Sequence, residues 1–319
     1  MWGAGSTLKA PKQMQTQEAM KGKLRNGYYI LNRTRLAKLK ILKFQCRYWK
    51  PGLDLVEILT KLLNGYIENG DFVVLSEKAY ASALGYIFDE AKIKPSLFSK
   101  IFVYFWMRLI WGYFLSFICK LKPQTIKLLR SYPLVEGASH KQLALKVSGF
   151  LNVLKPTSEG GIDGSNLPYK FVTLPIENIQ EKVDKLRRSL EEKLGVKLNL
   201  MVVDSDRIYV YRRNCRIIFS TRKTCFKEIK FLGFLAYIVG RAFRRFFKPL
   251  ATPLAYSGRK IRIEDALMIA EAADKVRGYG AGRTVFEVAE TFNVPVSGVT
   301  WEMLEKIKHY PIILVKRLD

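Results

Sequence analysis

Residues 177–206 read ENIQEKVDKLRRSLEEKLGVKLNLMVVDSD, and this stretch decides the fold class. Glu177–Leu194 has the spacing of an amphipathic helix, Gly195 stops it, and Asn199-Leu200-Met201-Val202-Val203 reads as a strand ending in Asp204-Ser205-Asp206. Just upstream lies Ser158-Glu159-Gly160-Gly161-Ile162-Asp163-Gly164-Ser165-Asn166-Leu167-Pro168, a glycine-rich loop around one central carboxylate. Acids on a flexible loop and at a strand end are how α/β proteins hold hard divalent cations beside phosphates. Further out, Asp54–Leu63 is helical, Asn69-Gly70-Asp71 turns into a strand at Phe72–Leu75, and Glu264–Val276 is a helix closed by Gly278-Tyr279-Gly280-Ala281-Gly282. Short helices at Val285–Phe292 and Thr300–Lys308 precede a last strand, Ile312–Val315. This alternation predicts an α/β (α+β) protein, without internal repeats.

Composition narrows the function classes. Hydrophobic residues make up 49% of 319 and charged residues 26%, which suits a folded chain of one large or two smaller domains. The net charge of +26 calls for anionic company: nucleic acid, acidic lipid or a polyanionic small molecule. Residues 1–50 hold twelve Lys or Arg against one acid, Glu18, and a second basic block runs from Arg207 to Lys248. Cys46, Cys119, Cys215 and Cys225 form no CxxC pair and only two histidines occur, which argues against a structural zinc site or a secreted disulfide scaffold. Nucleic acid is the unfavoured partner. Tyr209, Tyr211 and Phe219 interleave with Arg212, Arg213 and Arg216, but no recognised nucleic-acid module accompanies them.

One segment departs from a purely soluble pattern. Residues 101–119, IFVYFWMRLIWGYFLSFIC, carry a single charge, Arg108. The length approaches that of a membrane span, yet Arg108 at its middle is costly in lipid. Three readings stay open: a span, interfacial attachment to an acidic membrane, or a buried core or dimer-interface helix. Phe231–Phe247 reads as a basic amphipathic stretch able to lie on such a membrane. The expected localisation is cytoplasmic, with membrane association left open.

These landmarks resemble the coenzyme F420-0:γ-glutamyl ligase family. The carriers are Arg47–Leu55, Gly70–Ser76, the loop Gly161-Ile162-Asp163-Gly164-Ser165-Asn166, Val202–Asp206, and Lys248–Leu250 with Tyr256-Ser257-Gly258 and the Ala-rich helix beyond. The resemblance implies a γ-glutamyl ligase-like fold in an intertwined homodimer, and GTP-dependent addition of L-glutamate to F420-0 or a similar anionic, phosphate-bearing acceptor through an acyl phosphate. It implies Mg²⁺ or Mn²⁺ held by Asp163, Asp206 and an acid early in the Ala-rich helix, Glu264 or Asp265. It places guanine-nucleotide contacts at Cys46, Arg47, Tyr48, Trp49, Glu77 and Lys78. A catalytic residue proper is not identified. The expected organisation is a basic N-terminal arm at 1–44, a ligase-like domain at 45–278 with an apolar helical insert over about 91–150, and a C-terminal helical extension at 279–319.

The departures matter too. Arg207 stands at the family's threonine ligand position, Ser82 where it has a phosphate-binding lysine, and Arg207–Arg212 replaces its Gly-Arg-Pro turn. A catalytically altered, membrane-associated paralogue that binds a metal and an anionic ligand is therefore the alternative reading. Asp204 is a further ligand candidate and His140 a candidate base or anion contact. Gly278–Arg283 follows a helix rather than a strand, which makes it a helix end and loop rather than a dinucleotide fingerprint.

Overall fold

The computed structural model describes residues 28–31, 38–157 and 159–318. The remainder of the expected N-terminal arm, residues 1–27 and 32–37, lies outside the described residues, as does Ser158 of the glycine-rich loop.

Strands β1 (Tyr28–Leu31) and β2 (Lys38–Cys46) lead into helix α1 (Leu55–Leu63), strand β3 (Phe72–Ser76), helix α2 (Glu77–Ala83) and strand β4 (Ile87–Asp89). Helices α3 (Leu97–Ile118), α4 (Pro123–Arg130), α5 (Leu134–Ser148) and α6 (Phe150–Val153) follow. The chain continues through β5 (Phe171–Thr173), α7 (Ile179–Leu194), β6 (Asn199–Tyr211), β7 (Ile218–Ser220), β8 (Lys230–Phe231), α8 (Phe234–Ala242) and β9 (Phe247–Ser257). It closes with α9 (Ile263–Arg277), α10 (Val285–Phe292), α11 (Trp301–Glu305) and β10 (His309–Leu318).

The main sheet has the order β1-β2-β10-β3-β6-β7-β8, with β9 also paired to β6. Strands β3 and β6 are parallel, while β10 is antiparallel to both β2 and β3. The protein is thus a mixed α/β fold. Alternate residues of each strand face opposite layers. Val73, Leu75, Leu200, Val202 and Leu314 pack under Leu59 and Leu63 of α1 and Val183 and Leu190 of α7. Phe72, Val74, Met201, Val203, Ile313 and Val315 pack against Ala266, Ile269, Ala270 and Ala273 of α9. The small side chains of α9 let its backbone come close to the sheet.

Local signals explain the helix ends. The Asp54 carboxylate accepts from the Glu57 amide at 3.0 Å and so caps α1. Gly195 takes the left-handed conformation, φ 67°, that closes α7. One expectation is corrected. The strand expected to end at Val203 runs on to Tyr211, and the acids sit at an irregularity within it, where the β6–β9 register shifts between Asp204 and Arg207. A bulge re-aims side chains, which is why Asp204 and Asp206 can both reach one cavity. Within 279–319 the expected helices are present, and the expected last strand, Ile312–Val315, is the core of the longer β10, which enters the middle of the sheet. Strand β2, in turn, ties part of the 1–44 segment into that sheet.

Helix α8 lies across β6, and Gly240 is the closest approach: a Cβ there would overlap the ring of Tyr209, which is 3% exposed. Gly240→Ala is expected to cost about 1–3 kcal/mol through overpacking, read as a lowered urea midpoint with an unchanged slope.

Candidate active site

A cavity of about 290 Å³ opens where the glycine-rich loop, the start of α2, the β6 bulge, the end of α9 and the start of β10 converge. Lys78 reaches it from the first turn of α2, Asp163 and Ser165 from the loop, Asp204 and Asp206 from the bulge, Arg277 from the last residue of α9 and Arg283 from the segment after it. The site therefore combines carboxylates with cations, and nearly every acid already has a basic partner.

On the loop side, the Lys78 ammonium lies 2.6 Å from the Asp163 carboxylate and donates to the Ser165 carbonyl at 3.0 Å. Asp163 also accepts from the Ser165 amide at 2.7 Å, so the turn-forming and charge-pairing roles coexist. At the bulge, Lys155, a fully buried lysine, pairs with Asp206 at 2.7 Å. Burial pushes the Asp206 carboxyl up, against the pull of Lys155. Arg222 bridges Asp204 and Glu77, the latter at 3.1 Å. Burial would raise Asp204 as well, but the Arg222 guanidinium outweighs it and holds the group below its ordinary value. Burial lifts Glu77 to about 7 despite Arg222. Arg222 approaches so closely that Gly161, at φ 106°, has no room for a Cβ.

The far wall is built by a clasp. The Asn166 side-chain amide donates to the carbonyls of Tyr279 (3.1 Å) and Gly282 (2.7 Å) and accepts from the Ala281 amide at 2.7 Å. Gly278–Arg283 is thus both the end of a helix and a wall of the cavity. Tyr48 donates its hydroxyl to the Asn166 carbonyl and stacks on His309, with ring centroids 4.4 Å apart. Burial pushes His309 down to about 4, so that ring is neutral near pH 7.

The expected site residues divide as follows. Tyr48 and Lys78 line the cavity, as do Asp163 and Asp206. Cys46, Arg47, Trp49 and Glu77 are not among its lining residues: Trp49 belongs to the core beneath, and Glu77 is buried against Arg222. Cys46 is half-buried at the end of β2, its thiol pushed up to about 12 by desolvation, and Arg47 is exposed. Glu264 is exposed in the first turn of α9 and does not reach the cavity; the helix dipole accounts for an acid there. The acids of α9 that do face this end are Glu271 and Asp274, and both are engaged by Arg207, at 3.0 and 3.4 Å. Arg277 adds a second cation on Asp274. Only the position of Arg207 hinted at this arrangement beforehand, because an arginine at a ligand position needs acids around it. His140 lies outside the cavity, between Glu90 at 2.6 Å and Glu159 at 3.0 Å.

Whether these residues suit a divalent ion is a question of donors. A hard cation needs several free oxygens from a converging set. Among the described residues no group of three His, Cys, Asp or Glu converges to hold a metal. The carboxylates at the cavity each have an ammonium or guanidinium against them. In this arrangement the residues do not fit a resident Mg²⁺ or Mn²⁺; side-chain cations occupy the oxygens it would use.

A compact cavity rimmed by Lys and Arg, set between a glycine-rich loop and a strand bulge in a mixed α/β fold, is the feature by which the protein can be classed. Comparison with known proteins gives the class a name. Residues 43–216 match the family described as F420-0:gamma-glutamyl ligase, and the chain belongs to that family. An uncharacterized protein of Methanocaldococcus jannaschii is 32% identical over 289 residues, spanning 87% of this chain and 96% of the relative.

Proposed function

We propose that the protein is a GTP-dependent ligase that joins L-glutamate to F420-0 or a similar phosphate-bearing acceptor, working as a homodimer. The observation that carries this reading is the convergence of Lys78, Arg207, Arg277 and Arg283 on the cavity walled by the Asp163 loop. Family membership supplies the ligase chemistry. In that chemistry an acceptor carboxylate oxygen attacks the γ-phosphorus and the nucleoside diphosphate leaves. The glutamate amine then attacks the acyl carbon, loses a proton and expels inorganic phosphate.

This chain's residues serve such a sequence by neutralising charge and positioning groups. Lys78, at the start of α2, offers an ammonium to a phosphate once it leaves Asp163. The helix N-terminus adds its own favourable field for an anion. Arg207 and Arg277, steadied by Glu271 and Asp274, hold guanidiniums at the cavity edge. Such planar donors suit phosphate recognition. The neutral His309 ring and Tyr48 form an aromatic wall beside them. Mg²⁺ or Mn²⁺ enters this reading only if Lys78 and Lys155 move off Asp163 and Asp206.

Calorimetric titration with GTP, ATP and GDP, each in Mn²⁺ and again in EDTA, tests the proposal. GTP binding that persists in EDTA and falls about tenfold or more in Lys78→Ala is the expected result, since a charge-assisted hydrogen bond contributes about 1.5–3 kcal/mol. A folded protein that binds none of the three overturns the proposal. The pairing of Arg207 with both Glu271 and Asp274, together with Ser82 spent on the Trp49 carbonyl at 2.9 Å, favours a second reading. In it the site binds an anionic ligand without turning it over. Nucleotide binding without glutamate-dependent phosphate release would select that reading.

A further inference from the structure

Helix α3 has two unlike faces. Between Val103 and Leu115 it is wound as a π-helix, which takes more residues per turn than an α-helix. Val103, Met107, Trp111 and Ser116, four or five residues apart, are fully buried against the protein. The opposite face carries Phe98, Phe105, Tyr113, Phe114 and Phe117, each more than half exposed. So large an unbroken apolar strip is rarely left bare to water, and such strips mark docking sites.

We infer that this face of α3 seats the protein on the surface of an anionic lipid bilayer, with the helix lying along the interface rather than crossing it. The inner face argues against a span. Trp106 and Trp111 both donate their indole N–H to the Leu154 carbonyl at 2.9 Å, and the Arg108 Nε donates to the Tyr132 carbonyl at 2.8 Å. Those bonds fasten the middle of the helix to its own protein, and they hold the one charged side chain of the apolar run out of hydrocarbon. Only 28% of its most apolar window is buried, and Phe105, Tyr113, Phe114 and Phe117 leave a face of it open to lipid.

Charge selects the kind of surface. Residues 91–150 contain ten Lys or Arg and a single acid, Glu136. Lys92, Lys94 and Lys100 are exposed around the start of α3, and Lys120, Lys122 and Lys127 follow its end. A basic, aromatic-rich helix with a one-sided apolar face is the pattern of interfacial attachment, where basic residues near an anionic leaflet contribute about 1 kcal/mol each. A second copy is disfavoured as the occupant, because an isologous contact here would set this excess of positive charge against itself. Nucleic acid is disfavoured as well: phenylalanine rings at the centre of the face offer phosphates no donors. The neighbouring helix α8 packs Phe234 and Tyr237 against the inner side and then leaves at Phe243-Arg244-Arg245-Phe246, all exposed.

The inference does not depend on the ligase reading, and it is tested without nucleotide. The full chain is floated with phosphatidylcholine vesicles, with and without phosphatidylglycerol. It should rise with the anionic vesicles and stay down with the neutral ones. Replacing Phe105, Phe114 and Phe117 together by Glu should weaken partition about tenfold or more at unchanged melting temperature, because one buried Phe side chain is worth about 1.5–3 kcal/mol. Lys100→Glu with Lys120→Glu should abolish the preference for anionic lipid. The inference is overturned if the wild type does not float, or if the triple variant floats equally well. It is also overturned if the protein resists alkaline carbonate extraction, which indicates a span, or if the same substitutions instead break a dimer seen by light scattering.

Discussion

Arg222→Met is expected to lower folding stability by about 3–5 kcal/mol, the cost of leaving buried charge without its partner. Arg222 is 7% exposed and sits between the carboxylates of Asp204 and Glu77. Methionine fills much of the volume but leaves two acids facing each other in a dry site. Glu77 stands at about 7 even with the guanidinium present. Without it Glu77 rises further and Asp204 loses the cation that holds it down, so the deficit should shrink in mild acid, where the carboxyls are protonated, and grow as pH increases through 7. Chemical denaturation at several pH values checks this. Adding Glu77→Gln and Asp204→Asn to Arg222→Met should recover much of the loss, since a neutral set no longer needs a counter-charge. An Arg222→Met protein as stable as wild type at pH 8 would refute the bridge.

The second large effect is on the pH profile of stability. Burial alone would lower the His140 pKa, but the Glu159 and Glu90 carboxylates overcome it and lift the group from 6.5 to about 10. A cationic group raised in the folded state contributes stability that is fully present below about 6.5 and is lost as pH climbs through about 10. Glu159 behaves in the opposite sense: Lys141 and His140 outweigh its burial and hold it far below the usual carboxylate value, so its contribution is lost in acid. Wild-type stability is therefore expected to fall progressively from near neutrality toward pH 10. His140→Gln should flatten that fall and lower the plateau. A variant with the wild-type alkaline slope would remove His140 from the account.

Much of the frame was legible beforehand. Gly195 after an amphipathic run announced the α7–β6 unit, and family order brought Asp163 and Asp206 to one cavity. The sequence reading missed what depends on partners distant along the chain. Nothing near Lys155 or Arg222 says that these cations meet Asp206 and Asp204, because an ion pair leaves no periodicity. The resemblance put the helix acid at Glu264 or Asp265, early in α9, whereas the α9 acids that packing turns toward the cavity end are Glu271 and Asp274. The apolar run 101–119 was visible, but which of its residues turn inward was not, because π-winding sets the buried positions Val103, Met107, Trp111 and Ser116 four or five residues apart.

The placement of β10 carries a consequence for how the molecule is made. This strand, His309–Leu318, lies between β2 and β3, so the last described strand is a hydrogen-bonded neighbour of one near the other end of the chain. Until β10 is in place, the facing edges of β2 and β3 have no partner for their main-chain donors and acceptors. Val73, Leu75, Ile41 and Leu42 wait with them. Closure of so long a loop slows folding and prolongs the exposure of open strand edges. The sheet is consequently completed only when β10 has closed the long loop back to β2 and β3.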